Sequence, residues 1–101
     1  MFVTVWEYEV RLGMEAAFEQ LYGEQGAWVR LFQEQPGYLR TDLLRGERHG
    51  HYLTLDRWRD ARDYTAFQQH QHSRYAQIDA QGDALTLSER HVGTFIAPDT
   101  A

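Results

Sequence analysis

The period of the apolar residues switches repeatedly between two and about 3.6 along this chain, and the order of those switches leaves few folds open. Phe2–Val10, FVTVWEYEV, alternates: Phe2, Thr4, Trp6 and Tyr8 point one way, Val3, Val5, Glu7 and Glu9 the other. That is a strand. In LGMEAAFEQLYGEQGAWVRLFQEQPG, Phe18, Leu21 and Tyr22, then Trp28, Leu31 and Phe32, recur at helical spacing. Gly23 and Gly26 divide this stretch into two helical pieces, and Pro36-Gly37 stops it. Tyr38–Arg45 and His51–Arg59 flank the polar turn GERHG and read as an antiparallel hairpin. Asp60 or a neighbour then caps a helix with Tyr64, Phe67, Gln71, Tyr75 and Ile78 on one face, which Gly82 ends. Thr86–Ile96 supplies a last strand, and residues 97–101 a short tail.

The order βαββαβ, in one domain over residues 1–101 with its core at about 2–96, closes economically as a ferredoxin-like α+β fold. Four antiparallel strands carry both helical regions on one face. The other face is then bare, and the first strand leaves either Val3 and Val5 or Phe2, Trp6 and Tyr8 on it. Leu53 and Leu55 sit opposite Tyr52 and Trp58 in the same way. Both faces are partly apolar, which argues for a homodimer through the uncovered sheet face.

Composition narrows the function. The formal net charge is −5, all ten basic residues other than histidine are arginine, and they are scattered, so nothing tracks a nucleic-acid backbone. No apolar run is long enough for a membrane span, and MFVTVWEYEV has no basic segment of the kind that opens a signal peptide. Cysteine is absent, which excludes disulfides, thiolate chemistry and cysteine zinc sites and makes the cytoplasm the default location. Aromatic residues reach 14%, more than a small core holds easily, which points to an aromatic pocket or interface as well as to core packing.

The aromatic first strand, the PGY turn, the strand ending DRWRD and the helix YTAFQQHQHSRY together resemble the antibiotic biosynthesis monooxygenase family, within the dimeric α/β-barrel group. The resemblance runs from about Phe2 to Phe95. It implies a dimer whose sheets face each other as a barrel, with a pocket between helices and sheet in each subunit. It also implies oxidation of a small aromatic substrate (a phenol, anthrone or quinol) by O₂ without metal, flavin or other cofactor. The substrate is deprotonated and its anion passes an electron to oxygen, so the protein supplies a base and an apolar enclosure. A non-catalytic small-molecule-binding protein and a cofactorless isomerase or lyase share the same frame. Haem-degrading relatives use an asparagine on the first strand with a helical tryptophan and histidine. This chain has no asparagine, and those helical positions fall near Phe67 and Gln77, which argues against haem.

The histidines decide the candidate site. Two residues apart on a helix are ~200° apart, so His70 and His72 cannot converge on one metal ion, and the His49–His51 turn reads as exposed polarity near Glu47. On a continuous helical wheel His72 lies about 80° from Tyr64, on the shoulder of the apolar face, and His70 faces away. The family resemblance pairs a histidine with an aromatic three residues on, which His72 and Tyr75 match. They are the expected catalytic base and polar handle, with surface or structural polarity as the alternative for His72. Trp6, Trp28, Tyr64 and Phe67 are the expected substrate walls, or core. Glu89 and His91 share one face of the last strand, as a pocket pair or, the favoured reading, an interface pair. Arg57, Arg90 and Asp56 invite the same pair of readings: an arginine beside the pocket could hold a phenolate, while residues of this kind on a half-exposed sheet ordinarily form solvated ion pairs.

Overall fold

A computed structural model describes residues 1–98; residues 99–101, the end of the expected tail, lie outside the described residues. The chain folds as β1 (Phe2–Val10), α1 (Glu15–Tyr22), α2 (Ala27–Gln33), β2 (Tyr38–Arg45), β3 (His51–Trp58), α3 (Ala61–His70), α4 (His72–Asp83) and β4 (Thr86–Ile96). The strands form one antiparallel sheet in the order β2-β3-β1-β4, the ferredoxin-like arrangement the segment order demands.

Alternation in β1 and β3 decides which face the helices cover. Tyr52, Thr54, Asp56 and Trp58 are buried while the residues between them are half-exposed. On the same side, Phe2, Thr4 and Tyr8 of β1 are buried. The helices therefore cover the aromatic set, and the bare face carries the half-exposed Val5, Leu53 and Leu55, with Val3 on the same side but buried. That face also bears ion pairs: Arg57 donates to Asp42 at 3.0 Å, and Arg90 to Glu7 at 2.7 Å.

The core is an aromatic layer. Trp58 and Phe18 are 0% exposed and Phe67 and Leu31 1%. Ring contacts run without a break from Tyr8 through Phe18, Tyr22, Trp28 and Phe32 to Trp58 and Phe67, most of them tilted or edge-on. Asp60 caps α3 as expected, its side chain accepting from the backbone N–H of Arg62 and Asp63 at 2.9 and 3.1 Å. Glu19 ties α1 to the hairpin by accepting from Arg45 and from the Tyr52 hydroxyl; those bonds hold its carboxyl down at about 2.

Two local expectations are corrected. The helix after Asp60 is not continuous: Gln71 (φ −116°, ψ 26°) leaves helical geometry and separates α3 from α4. The residues from Gln68 to Arg74 are all polar, so nothing apolar holds this turn to the core and the axis changes direction between the anchors Phe67 and Tyr75. Nor does Gly82 end its helix, since α4 continues to Asp83. Gly82 is needed for close approach instead: a Cβ there would lie 2.1 Å from the Tyr22 hydroxyl oxygen. Gly82→Ala is expected to cost about 1–3 kcal/mol in urea unfolding. Much of that loss should disappear in a Tyr22→Phe background, which removes the obstructing oxygen.

Candidate functional site

A cavity lies between the helix-covered sheet face and α2, α3 and α4. Its floor comes from inward positions of the strands: Trp6 and Tyr8, Thr54 and Asp56, Thr41, and Glu89 at the rim. Its walls are aromatic, with Trp28 and Phe32 from α2, Tyr64 and Phe67 from α3, and Tyr75 from α4. The room open to a water-sized molecule is ≈ 30 Å³, enough for about two waters. A ring-sized ligand must therefore turn wall residues aside, and Trp6 and Tyr75, only half-buried, are the ones with freedom to move. Trp28 and Tyr75 meet edge-on at 5.0 Å. Arg74 holds that meeting in place from the neighbouring position, donating twice to Glu34 at 2.6 Å and so bracing α4 against the end of α2.

The expected wall residues Trp6, Trp28, Tyr64 and Phe67, and the expected polar handle Tyr75, all line this one cavity. His72 does not. The break at Gln71 resets the helical phase, so His72 opens α4 as an exposed residue instead of sitting on the apolar shoulder that a continuous wheel gives it. His70 is exposed as well. His49 and His51 each face a carboxylate from elsewhere in the chain rather than Glu47: His49 Nε2 lies 2.9 Å from Glu15, and His51 Nε2 2.7 Å from Glu7.

The last strand also differs from expectation. Register shifts in the β1–β4 ladder carry Glu89 and His91 to the helix side, away from the uncovered face. Glu89 reaches the cavity rim, whereas His91 stacks at 4.6 Å on Trp6 and shares a 3.0 Å hydrogen bond with Thr4, so the two do not form a carboxylate–imidazole pair. Arg57 and Arg90 lie on the opposite face in ion pairs and cannot hold an anion in the cavity.

Asp56 is the residue whose importance the sequence understates. It is 7% exposed, lines the cavity, and accepts one hydrogen bond, from Thr41 at 2.7 Å. Burial pushes its carboxyl up to about 6, against the smaller opposing pull of the Thr41 hydroxyl. The signal was present: in HYLTLDRW a lone carboxylate occupies the inward register between Thr54 and Trp58. Burial likewise raises the phenols of Tyr22, Tyr64 and Tyr75, keeping them protonated donors at neutral pH. Among the described residues the Trp28 indole N–H, on a residue 8% exposed, forms no well-aligned hydrogen bond, with the Tyr22 hydroxyl beside it. The site thus combines flat apolar walls, neutral O–H and N–H donors, and one buried carboxylate that changes charge near neutrality.

The sequence profile described as antibiotic biosynthesis monooxygenase matches residues 1–78. No curated protein sequence matches the chain. Among solved structures, SnoaB, a cofactor-independent oxygenase from Streptomyces nogalater, superposes with a TM-score of 0.78 at 24% identity, over 98% of this chain and 94% of its own. A monooxygenase from the gene ActVA-Orf6 of Streptomyces coelicolor, in complex with nanaomycin D, gives 0.79 at 15% identity, over 99% and 89%. Rv0793 from Mycobacterium tuberculosis gives 0.72 at 16%, over 99% and 97%. At these identities the superpositions establish a shared fold.

Because Asp56 binds its proton more tightly folded than unfolded, its contribution to stability is present at low pH and is lost as pH rises through about 6. Asp56→Asn, which keeps an acceptor for Thr41, is expected to unfold about 2–3 kcal/mol harder than the parent at pH 8. That advantage should vanish below about pH 4, as read from denaturant midpoints across the range.

Proposed function

The chain belongs to the antibiotic biosynthesis monooxygenase family, and from that premise we propose that it oxidises a small electron-rich aromatic substrate with O₂ and without a cofactor. The observation that carries this reading is the buried Asp56 carboxyl beneath an aromatic-walled cavity. A phenol, anthrone or quinol lying between Trp28, Tyr64 and Phe67 presents its acidic proton toward the sheet, where Asp56 is, among the described residues, the one buried carboxylate on the floor. Raised to about 6, Asp56 is ionised at neutral pH yet a stronger base than an exposed aspartate, as proton abstraction requires.

The remaining steps follow from the substrate. Its anion gives one electron to O₂, and the resulting carbon radical and superoxide combine into a C–O bond. Loss of water from the peroxide leaves a carbonyl; for an anthrone CH₂ the balance is CH₂ + O₂ → C=O + H₂O. The protein's part is to take the first proton, return it during water loss, and exclude bulk solvent. Tyr75 and Tyr64, held protonated, donate hydrogen bonds to the oxygen on which charge collects.

The uncovered sheet face supports a homodimer. Leu44 and Phe95 are 47% and 52% exposed there, beside the half-exposed Leu53 and Leu55. A second copy laid across this face removes that apolar area from water. Light scattering at micromolar concentration should give twice the chain mass, and Leu53→Arg/Leu55→Arg should give a monomer. A wild-type monomer overturns the pairing.

Oxygen uptake with a panel of hydroquinones and anthrones tests the reaction. Uptake is expected to rise with pH through about 6 as Asp56 ionises, and to fall about 10²–10⁴-fold in Asp56→Asn. His72→Ala, at an exposed position, should leave it unchanged. An active Asp56→Asn enzyme, or one silenced by His72→Ala, removes Asp56 from the role of base.

A further inference from the structure

A site that generates a substrate anion ordinarily offers it a fixed positive charge. This one does the opposite. No arginine, lysine or histidine lines the cavity among the described residues; its carboxyl groups are Asp56, Asp79 and Glu89, and burial and the neighbouring carboxylates push Glu89 up to about 7, a proton that a bound cation would displace. Asp83 adjoins them at the rim, the ligating oxygens of Asp79, Asp83 and Glu89 lying within 4.8 Å of one another. The neighbouring charges acting on the phenols of Tyr22 and Tyr75 are all carboxylates. Meanwhile eight of the arginines are engaged elsewhere, Arg57 and Arg90 on the far side of the sheet.

Asp79 is half-buried and Glu89 exposed at its outer edge, so their carboxyls ring the entrance while Asp56 sits at the bottom. Between them stand the rings of Trp6, Tyr75 and Trp28, the buried N–H of Trp28 forming no well-aligned hydrogen bond among the described residues. An acidic rim leading into aromatic faces is the chemistry that recognises an organic cation, since ring faces are electron-rich and carboxylates complete the charge. It repels a carboxylated ligand.

We infer that the substrate of this site is an aromatic ring bearing a basic amine, whose ammonium group is held at the rim by Asp79 and Glu89 against the Trp6 and Tyr75 faces. The amine also resolves the electrostatic conflict. The positive charge that steadies the substrate anion arrives on the substrate, and the Trp28 N–H and the tyrosine hydroxyls supply neutral donors beside it. This inference rests on the cavity being the substrate site, as proposed above. It adds the charge class of the substrate.

The test is anaerobic binding, read by quenching of tryptophan fluorescence, of three hydroquinones alike except for one ring substituent: trimethylammoniomethyl, hydroxymethyl or carboxymethyl. The cationic probe is expected to bind about tenfold more tightly than the neutral one, and the anionic probe most weakly. In Asp79→Asn/Glu89→Gln the preference should fall below about threefold while the neutral probe keeps its affinity. The unchanged neutral affinity shows that the variant folds. Equal binding of the three probes, tightest binding of the carboxylate, or a preference that survives in the double variant overturns the inference. So does calcium binding at these carboxylates more tightly than the cationic probe, which makes the rim a metal site. Charge preference without oxygen uptake leaves this inference standing and sinks only the oxygenase reading.

Discussion

Everything in this molecule depends on one aromatic layer compressed between a single sheet face and the helices. Burying rings such as Trp58, Phe18 and Phe67 removes large apolar areas from water and supplies much of what holds a chain of 101 residues folded. Tilted rings do not tile a layer completely. Trp28 against Tyr75 and Trp58 against Phe32 meet edge-on, and the gap left where three helices diverge is the cavity. The hollow is a consequence of how the core is filled.

That layer also explains the unusual carboxyl. Asp56 sits in the inward register of β3, between Thr54 and Trp58, so the strand that builds the core carries it into low-dielectric surroundings. One hydroxyl, from Thr41, offsets little of the desolvation. A carboxyl that burial holds above the ordinary aspartate range costs stability at neutral pH, and the proton-transfer role proposed for Asp56 would give that cost a use. The acidic rim adds a separate constraint: carboxylates stand together at the cavity mouth while arginines such as Arg45 and Arg74 pair with carboxylates elsewhere on the surface.

The bare sheet face shows a different compromise. Apolar residues there alternate with ion pairs such as Glu7–Arg90 and Asp42–Arg57. Charges so placed stay hydrated on a single chain and, in the proposed pairing, would favour a partner with complementary positions. The cavity opens on the helix side and this face lies behind it, so the two surfaces can serve different purposes without competing for residues.

The sequence by itself determined the order of elements, the hairpin, the Asp60 cap and the aromatic residues that meet in the cavity, because each is set by local periodicity and turn chemistry. Tyr64, Phe67 and Tyr75 were legible as one helix face on those grounds, whereas Trp6 and Trp28 stood out as surplus aromatics. Tertiary structure decided the rest. Which face of β1 turns inward depends on what covers it, since both faces are partly apolar. The place of His72 depends on a helix break that a polar run permits but does not require. Glu89 reaches the rim through register shifts, and a bulge leaves no mark on simple alternation. The state of Asp56 is decided by depth, a property of the assembled layer that no single strand possesses.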